Sequence, residues 1–276
     1  METHYSSDPR YLAQMTTAEL GQMFLIESLF VAGELQLQYC FADRVVLGSA
    51  VPLETPLALP PGEGLRAEYF AQRRELGVLN IGGEGTVTVD GEQYAMENVD
   101  RLYIGRGSRS VVFASADVGV PAEFYLVSYL AHAAYATTLI KKSAAKAVPL
   151  GVPSACNQRT IYRYIHAEGI RSCQLLMGFT QLAVGSVSNT MPAHTHHRRS
   201  EVYLYFDREP KAQVFHLMGT ATETRHLVVA DRQAVISPAW SMHSGVGTHH
   251  YSFCWAMGGE NQDFGGIDPI PMDAWK

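Results

Sequence analysis

Cysteine, long apolar runs and clusters of basic residues are all scarce in this chain of 276 residues. Its four cysteines lie far apart with no CxxC pair, so we expect free thiols rather than a disulfide framework. The most apolar early stretch, from Met23 to Gly33, carries Glu27 and is too short to span a bilayer. The first residues lack the basic start and apolar stretch of a secretory signal. We therefore expect a cytoplasmic protein with no membrane partner.

Positive charge is also sparse and scattered. The net charge is −6, and the longest basic run is the pair Arg198-Arg199. This pattern argues against a nucleic-acid partner or an anionic membrane surface. With 47% apolar and 17% charged residues, the composition is that of a folded globular protein.

Short β-type segments dominate the chain, which predicts an all-β protein with few short helices. Thr16 and Glu19 form a possible capping box, so one helix is expected at about 17–28. Asp90-Gly91 is a strong hairpin turn, and regular Gly-rich turns favour a sandwich or barrel. Strands are predicted at 35–41, 44–48, 76–81, 86–89, 103–104, 110–114, 123–129, 159–165, 172–178, 202–206, 212–218, 223–229, 234–236 and 251–257.

The composition changes between His132 and Cys156, where small residues, lysine and two prolines accumulate. We interpret this stretch as an inter-domain connection, part helix and part extended linker. The strands on either side are alike in type and size. The prediction is therefore two tandem β-barrel or jelly-roll units, at 1–140 and 141–276.

One group of histidines carries the chemistry. His194 and His196 alternate along a predicted strand, so both side chains project from one face. Glu201 begins the next strand after a tight turn, and His243 comes from a later strand or turn. The pattern predicts that three imidazoles and one carboxylate surround a single point.

These donors suit Zn²⁺, Mn²⁺, Fe²⁺ or Ni²⁺ better than Ca²⁺, and they leave coordination positions for substrate or water. A lone HxH pair is often only a solvated surface pair. The additional glutamate and the downstream Pro238–His243 spacing favour a metal site instead. No histidine lies between His4 and His132, so the first unit cannot build an equivalent site.

The spacing resembles the cupin fold, whose first motif contains HxH followed after four residues by Glu. His194, His196 and Glu201 match that motif. Of the second motif, Pro238 and His243 match, whereas Trp240 stands in place of a glycine. Ser188, Arg208 and Gly247 are further departures from the two motifs.

Over essentially the whole chain the sequence resembles the 5-keto-4-deoxyuronate isomerase family. MPAHTHHRRSEVYLYFD and WSMHSGVGTHHYSFCWAMGGEN are the most specific stretches. The resemblance implies a bicupin, usually a homohexamer, with one Zn²⁺ per chain in the C-terminal barrel. It implies that the metal ligands are His194, His196, Glu201 and His243.

The resemblance also implies a reaction in pectin and uronate breakdown. The sugar acid 5-dehydro-4-deoxy-D-glucuronate becomes 3-deoxy-D-glycero-2,5-hexodiulosonate through an enediol. A metal ion would stabilise the charge on oxygen when the proton leaves C2, and a general base must stand beside that carbon. Glu201 is the candidate catalytic carboxylate, although the sequence leaves the identity of the base open.

A carboxylate substrate calls for an arginine near the pocket. Arg163 is chosen because it lies mid-strand, where an unpaired cation is costly. Gln174 and Thr180 share one face of a predicted strand and are taken as substrate-binding, whereas Met177 on the other face is taken as core. Tyr203 shares the face of Glu201 and is either substrate-binding or an ordinary core tyrosine.

Three further residues near the histidines are weaker candidates for the site. Strand alternation points His197 outward, and Arg198 and Arg199 fit a solvated turn. Two other functions also remain open on the ligand set alone. One is another metal-dependent cupin enzyme, such as an Fe²⁺ dioxygenase, and the other is a non-enzymatic cupin that binds sugar acids.

Overall fold

The computed structural model describes residues 1–260, 262–263 and 265–276. The first half of the described chain contains strands β1 Glu2–His4, β2 Leu25–Ile26, β3 Leu35–Cys40, β4 Val46–Ala50, β5 Leu57–Ala58, β6 Arg74–Asn80, β7 Gly85–Val89, β8 Glu92–Met96, β9 Arg101–Ile104, β10 Val111–Ser115, β11 Phe124–Leu130 and β12 Thr138–Ile140. The second half contains strands β13 Lys146–Leu150, β14 Arg159–Ile165, β15 Leu176–Leu182, β16 Ser188–Thr195, β17 Arg199–Phe206, β18 Val214–Thr220, β19 Glu223–Val229, β20 Gln233–Ser237, β21 Met242–Gly247, β22 Ser252–Gly259 and β23 Asp268–Pro269.

Helices are few, as the sequence predicts. The α-helix α1 spans Thr17–Phe24. Short 3-10 helices lie at Pro9–Gln14, Ala42–Arg44, Phe70–Gln72, Lys142–Ala144, Pro153–Ala155 and Met272–Ala274. In the part of the chain that is described, no helix is both long and apolar enough to cross a bilayer.

Helix α1 begins at the predicted capping box and ends earlier than predicted. The Thr16 hydroxyl accepts from the Glu19 amide, and the Glu19 carboxylate accepts from the Thr16 amide at 2.8 Å. The helix stops at Phe24 rather than near residue 28, because Leu25 and Ile26 form strand β2 against β20. A partner strand some 200 residues away thus decides where the helix ends.

The chain divides into two compact units. Unit 1 comprises 1–3, 28–145 and 164–176, and unit 2 comprises 4–27, 146–163 and 177–276. The division differs from a single cut after residue 140, because 4–27 belong to unit 2 and 164–176 to unit 1. Both segments join their units through strand pairing or contacts that span long sequence distances.

The two units repeat one topology. The large sheet contains β3-β4-β11-β6-β9 in unit 1 and β14-β15-β22-β17-β20 in unit 2. The small sheets run β5-β10-β7-β8 in unit 1 and β16-β21-β18-β19 in unit 2. In both sheets each unit 2 strand occupies the position of the unit 1 strand whose number is eleven lower, so the strand order is the same in the two units. The tandem all-β, jelly-roll arrangement expected from the sequence is confirmed. The expectation of barrels is wrong in one respect, since each unit is built from two separate sheets that do not close.

The connection between residues 132 and 156 also differs from its prediction. It forms strands β12 and β13 with two 3-10 turns, and no α-helix occurs in it. Strand β12 pairs with β9 of unit 1, and β13 pairs with β14. The segment therefore supplies an edge strand to a sheet of each unit.

The interior of unit 1 is an apolar core. Side chains from both of its sheets meet there, including Leu76, Val78, Leu102, Phe113 and Phe124, all at most 1% exposed. Such packing leaves no cluster of metal donors in the described part of this unit, and the single candidate cluster found among the described residues belongs to unit 2.

A buried carboxylate, Glu75, holds the segment before β15 inside unit 1. It is 0% exposed, and its oxygens accept from the backbone amides of Cys173, Gln174 and Leu175 at 2.7–2.8 Å. The Tyr103 hydroxyl donates to the same carboxylate at 2.8 Å. Four donors, two of them buried and two partly buried, therefore depend on one side chain.

We expect Glu75→Ala to lower the free energy of unfolding by at least about 3 kcal/mol, because each stranded buried donor costs about 1–3 kcal/mol. Urea unfolding followed by fluorescence measures the change. Glu63→Ala, at an exposed loop position, is the matched control and should shift the curve little. A loss in Glu75→Ala no larger than that of the control would contradict the structural role of this carboxylate.

Candidate metal centre

Three strands of unit 2 deliver the predicted metal donors to one place. His194 lies on β16 and pairs directly with His243 on β21, in the small sheet. Glu201 lies on β17 of the large sheet. His196 comes just after β16, at the start of the turn that joins the two sheets. The cluster therefore forms between the sheets, where strand alternation points His194, Glu201 and His243 inward and the start of the turn adds His196.

The donor atoms lie at coordination distances from one another. His194 Nε2 is 3.2 Å from His196 Nε2 and 3.0 Å from His243 Nε2. Glu201 Oε2 is 3.2 Å from His196 Nε2 and 3.1 Å from His243 Nε2. His196, Glu201 and His243 are at most 4% exposed.

This geometry fits a divalent ion. Bonds of about 2.0–2.1 Å place tetrahedral ligand atoms about 3.3 Å apart and neighbouring octahedral ones about 3.0 Å apart. The observed separations of 3.0–3.2 Å lie at those values. Without a cation, the nitrogen lone pairs of His194 and His243 would face each other at close range. The donor set of three imidazoles and one carboxylate thus fits the ion that the sequence predicts, without selecting one metal.

Burial and neighbouring charge favour the protonation states that bind a metal. Burial, assisted by the nearby His243, lowers the pKa of His194 to about 3, so this ring is neutral. Burial acts to raise the pKa of Glu201, but His243 and His196 outweigh it and hold that pKa well below its usual value. His194 therefore offers a neutral imidazole and Glu201 an ionised carboxylate, which are the forms that coordinate.

Two imidazoles are oriented by a second contact on the ring nitrogen that faces away from the centre. His196 Nδ1 lies 3.2 Å from the Gly266 carbonyl oxygen, which can only accept, and 3.4 Å from Arg199 Nη2, which can only donate; the shorter contact favours a proton on Nδ1. His243 Nδ1 lies 3.2 Å from the Ser237 hydroxyl. A proton on Nδ1 leaves Nε2 with its lone pair directed at the cluster, an arrangement typical of histidine ligands.

A bulge in β16 shapes the wall next to the cluster. Between Asn189, which pairs with Gly245, and His194, which pairs with His243, β16 has three more residues than its partner β21. Asn189 is 1% exposed, accepts a hydrogen bond from the Tyr251 hydroxyl and donates to the Thr190 hydroxyl. These contacts hold the bulge at the edge of a cavity.

That cavity, of ≈ 330 Å³, opens beside the donors. Its walls are mostly apolar and aromatic, and the described lining is Arg159, Ile161, Thr180, Thr190, Met191, Pro192, His194, His196, Glu201, Tyr203, Phe253, Trp255, Met257, Gly265 and Ile267. Such a pocket is typical of small-molecule sites, which combine apolar walls with a few polar groups.

Of the predicted substrate-binding residues, Thr180 and Tyr203 line this cavity and Arg163 and Gln174 do not. Gln174 precedes β15, which begins at Leu176, and its amide is bound by Glu75. The prediction that Gln174 shares a strand face with Thr180 is therefore wrong.

Arg163 occupies the same strand, β14, as the lining residues Arg159 and Ile161, but nearer its carboxyl end. There the Trp255 indole lies over Gly178, which is next to the Tyr162 carbonyl. The indole fills the space beside this end of β14. Period-two alternation puts Arg159 and Arg163 on one face, and it could have drawn attention to Arg159 as well.

The departure from the cupin pattern at Trp240 has a structural reason. Its ring packs edge-on against Phe24 of helix α1, with centroids 6.1 Å apart, and its indole nitrogen donates to the Ser7 carbonyl at 3.0 Å. A glycine would lose both contacts. The tryptophan thus holds the N-terminal segment in unit 2, and His243 keeps its place three residues later.

Comparison with known proteins settles the family. A model described as the KduI/IolB family matches residues 24–267. The chain belongs to the KduI/IolB family. The match includes all four residues of the donor cluster and nearly all of both units.

Two full-length relatives carry the same activity name. A protein of Bacillus pumilus is 55% identical over 99% of both chains and is named 4-deoxy-L-threo-5-hexosulose-uronate ketol-isomerase. A protein of Bacillus subtilis with the same name is 48% identical over 100% of both chains. The likeness therefore extends over both units.

Solved structures support the fold assignment. An IolB-like protein of Salmonella typhimurium aligns with a TM-score of 0.69 at 14% identity, covering 90% of this chain and 96% of that one. Oxalate decarboxylase of Bacillus subtilis, described with Mn(II) centres, aligns with a TM-score of 0.58 at 8% identity, covering 89% and 80%. At these identities the likeness concerns the cupin fold alone.

Proposed function

We propose that this KduI/IolB-family chain is the ketol-isomerase that converts 5-dehydro-4-deoxy-D-glucuronate, also named 4-deoxy-L-threo-5-hexosulose uronate, into 3-deoxy-D-glycero-2,5-hexodiulosonate. The observation that carries the proposal is the cluster of four donors beside a largely apolar cavity. Relatives that share about half of their residues over the full length bear this activity's name, which supports it.

The proposed cofactor is one Zn²⁺ per chain, held by His194, His196, Glu201 and His243. The cluster's separations of 3.0–3.2 Å and the neutral imidazole of His194 support a divalent ion. When bound, the ion would supply Lewis-acid stabilisation of the negative charge that develops on the C1 and C2 oxygens of the sugar.

Glu201 is proposed to carry the proton between carbons. The reaction removes a proton from C2 and returns one to C1, while the hydroxyl proton moves from O2 to O1, so no net oxidant or reductant is needed. The contacts of Glu201 with His196 and His243 both use Oε2, so neither imidazole holds Oε1. Oε1 is proposed to take the proton, while the Tyr203 hydroxyl hydrogen-bonds the same carboxylate. A base in contact with the reacting carbon contributes rate enhancement directly.

Tyr203 and Thr180 are proposed to position the substrate. Both line the cavity and are nearly fully buried, at 4% and 2% exposed. The Tyr203 hydroxyl is hydrogen-bonded to Glu201, and burial together with that carboxylate raises its pKa well above the usual value. Tyr203 therefore stays protonated and can donate, to the carboxylate or to a sugar oxygen that displaces it.

The apolar wall is proposed to exclude water from the enediol. Met191, Phe253, Trp255 and Ile267 are among the apolar residues of that wall. A dry site strengthens the electrostatic interactions of the donors and protects the intermediate.

The wider setting is part of the same proposal. The activity would serve the breakdown of pectin and other uronate polymers, on a small sugar-acid substrate. All four cysteines are free, which is compatible with a reducing cytoplasm. The homohexamer implied by the family resemblance is measurable by light scattering coupled to size exclusion.

The test is conversion of the 4,5-unsaturated galacturonate released by pectin lyase, which opens to the 5-keto-4-deoxyuronate. We expect proton NMR to show the C1 aldehyde or its hydrate becoming a hydroxymethyl group, with or without O₂. Chelation should stop the conversion and Zn²⁺ should restore it. Absence of conversion by protein that holds one metal per chain, or a requirement for O₂, would overturn the proposal.

A further inference from the structure

Arg159 is the one arginine among the described residues of the cavity wall. Arg159 opens strand β14, lines the cavity and is partly buried. Its Nη1 donates to the Asn157 carbonyl at 2.8 Å, which fixes the guanidinium at the base of the strand. An arginine offers five donors, so most of them stay available for another acceptor.

The charges around the cavity leave this cation uncompensated. Among the described lining residues, Glu201 is the one carboxylate, and it is engaged with His196 and His243. No carboxylate contacts Arg159 in the described part of the chain. Burial lowers the pKa of Arg159, with the Tyr251 phenol opposing that effect. A partly desolvated cation with no anion of its own is prepared to bind one.

The proposed substrate has two chemically different ends, and each suits one of two groups in the cavity wall, the donor cluster or Arg159. In its open form the sugar acid has the reacting C1 and C2 at one end and a carboxylate at the other. The donor cluster suits the first end. A guanidinium suits the second, since it binds a carboxylate through two parallel hydrogen bonds.

We infer that Arg159 binds the carboxylate of the sugar acid and thereby selects acids over neutral sugars. This inference rests on the proposed function for the chemical class of the ligand. It also assigns to Arg159 the role that sequence reasoning gave to Arg163. The apolar remainder of the wall would penalise a carboxylate in any other place.

Binding of an inert pair of ligands tests the inference without turnover. L-Galactonate and galactitol have the same six-carbon chain, and neither has an aldehyde or a ketone that could isomerise. They differ only in that the acid has a carboxylate where the polyol has a hydroxymethyl group. Calorimetry on zinc-loaded protein is the measurement. We expect wild type to bind the acid more tightly, and Arg159→Met to lose about ten- to a hundredfold of acid affinity with little change for galactitol.

Two variants sharpen the result. Arg159→Lys should retain more of the acid affinity than Arg159→Met does, because lysine keeps the positive charge. It should bind the acid less tightly than wild type, because an ammonium cannot form the two parallel hydrogen bonds of a guanidinium. Arg225→Met removes a cation that pairs with Glu223 away from the cavity, and it controls for net charge. Under turnover, Arg159→Met should raise KM far more than it lowers kcat.

Equal affinity of wild type for acid and polyol, or acid affinity that survives in Arg159→Met, would overturn the inference. Loss of acid affinity in Arg163→Met instead would return the role to that residue. If the acid preference depends on Arg159 but the NMR assay gives no isomerisation, the inference stands and the proposed function fails. If isomerisation occurs with no acid preference, the proposed function stands and the inference about Arg159 fails.

Discussion

His243→Ala is expected to lower kcat/KM of the isomerisation at least about a thousandfold, because a Lewis-acid metal supplies several kcal/mol of transition-state stabilisation. His243 contacts both His194 and Glu201, so its loss removes one of the four donors together with its contacts to two others. The bound metal, measured by mass spectrometry after gel filtration, should fall well below one ion per chain.

His226→Ala is the matched control, since it removes an exposed imidazole from β19 of the same sheet. It should retain both metal and activity. Full metal content and wild-type rates in His243→Ala would remove this residue from the site. Activity lost with metal retained would instead assign His243 a role in catalysis rather than in binding.

Glu201→Gln is expected to reduce kcat by about a hundred- to ten-thousandfold, the range that a general base contributes. The amide keeps the shape of the side chain, so the three imidazoles should still retain most of the metal. In D₂O the wild-type enzyme should place solvent deuterium at C1, and the variant should not. Glu209→Gln, at an exposed position, controls for the loss of one negative charge.

Two outcomes with Glu201→Gln would contradict the role of this carboxylate. If the variant loses its metal completely, Glu201 acts mainly as a ligand. If it keeps near wild-type turnover and deuterium incorporation, another group carries the proton. Tyr203→Phe, measured beside it, reports how much the hydroxyl that contacts Glu201 contributes.

The donor cluster could be predicted from sequence because it depends on local rules. Alternation along a strand puts His194 and His196 on one face, and a tight turn brings Glu201 back beside them. The one long-range element, His243, was predicted from the Pro238–His243 spacing rather than from strand geometry. The pairing of His194 with His243 across β16 and β21 gives that spacing its physical meaning.

Other predictions failed where distant parts of the chain decide the outcome. Gln174 was placed on a strand, but Glu75, 99 residues away, binds its amide and keeps the segment outside β15. Helix α1 was extended to residue 28, but pairing with β20 ends it at Phe24. No local pattern encodes such partners.

The choice between Arg159 and Arg163 shows the same limit at the scale of a single strand. Their alternation is identical, so the sequence cannot separate them. The Trp255 indole over Gly178 fills the space at one end of β14, and the cavity reaches the other end. Only packing between strands β14, β15 and β22 makes that distinction.

Anomalous diffraction at the zinc absorption edge, on crystals of protein purified without added metal and then given one equivalent of Zn²⁺, tests the central claim most directly. The account predicts one strong peak per chain, with His194 Nε2, His196 Nε2, His243 Nε2 and a Glu201 oxygen at about 2.0–2.2 Å. No peak among these four residues, or a principal peak elsewhere in the chain, would contradict it.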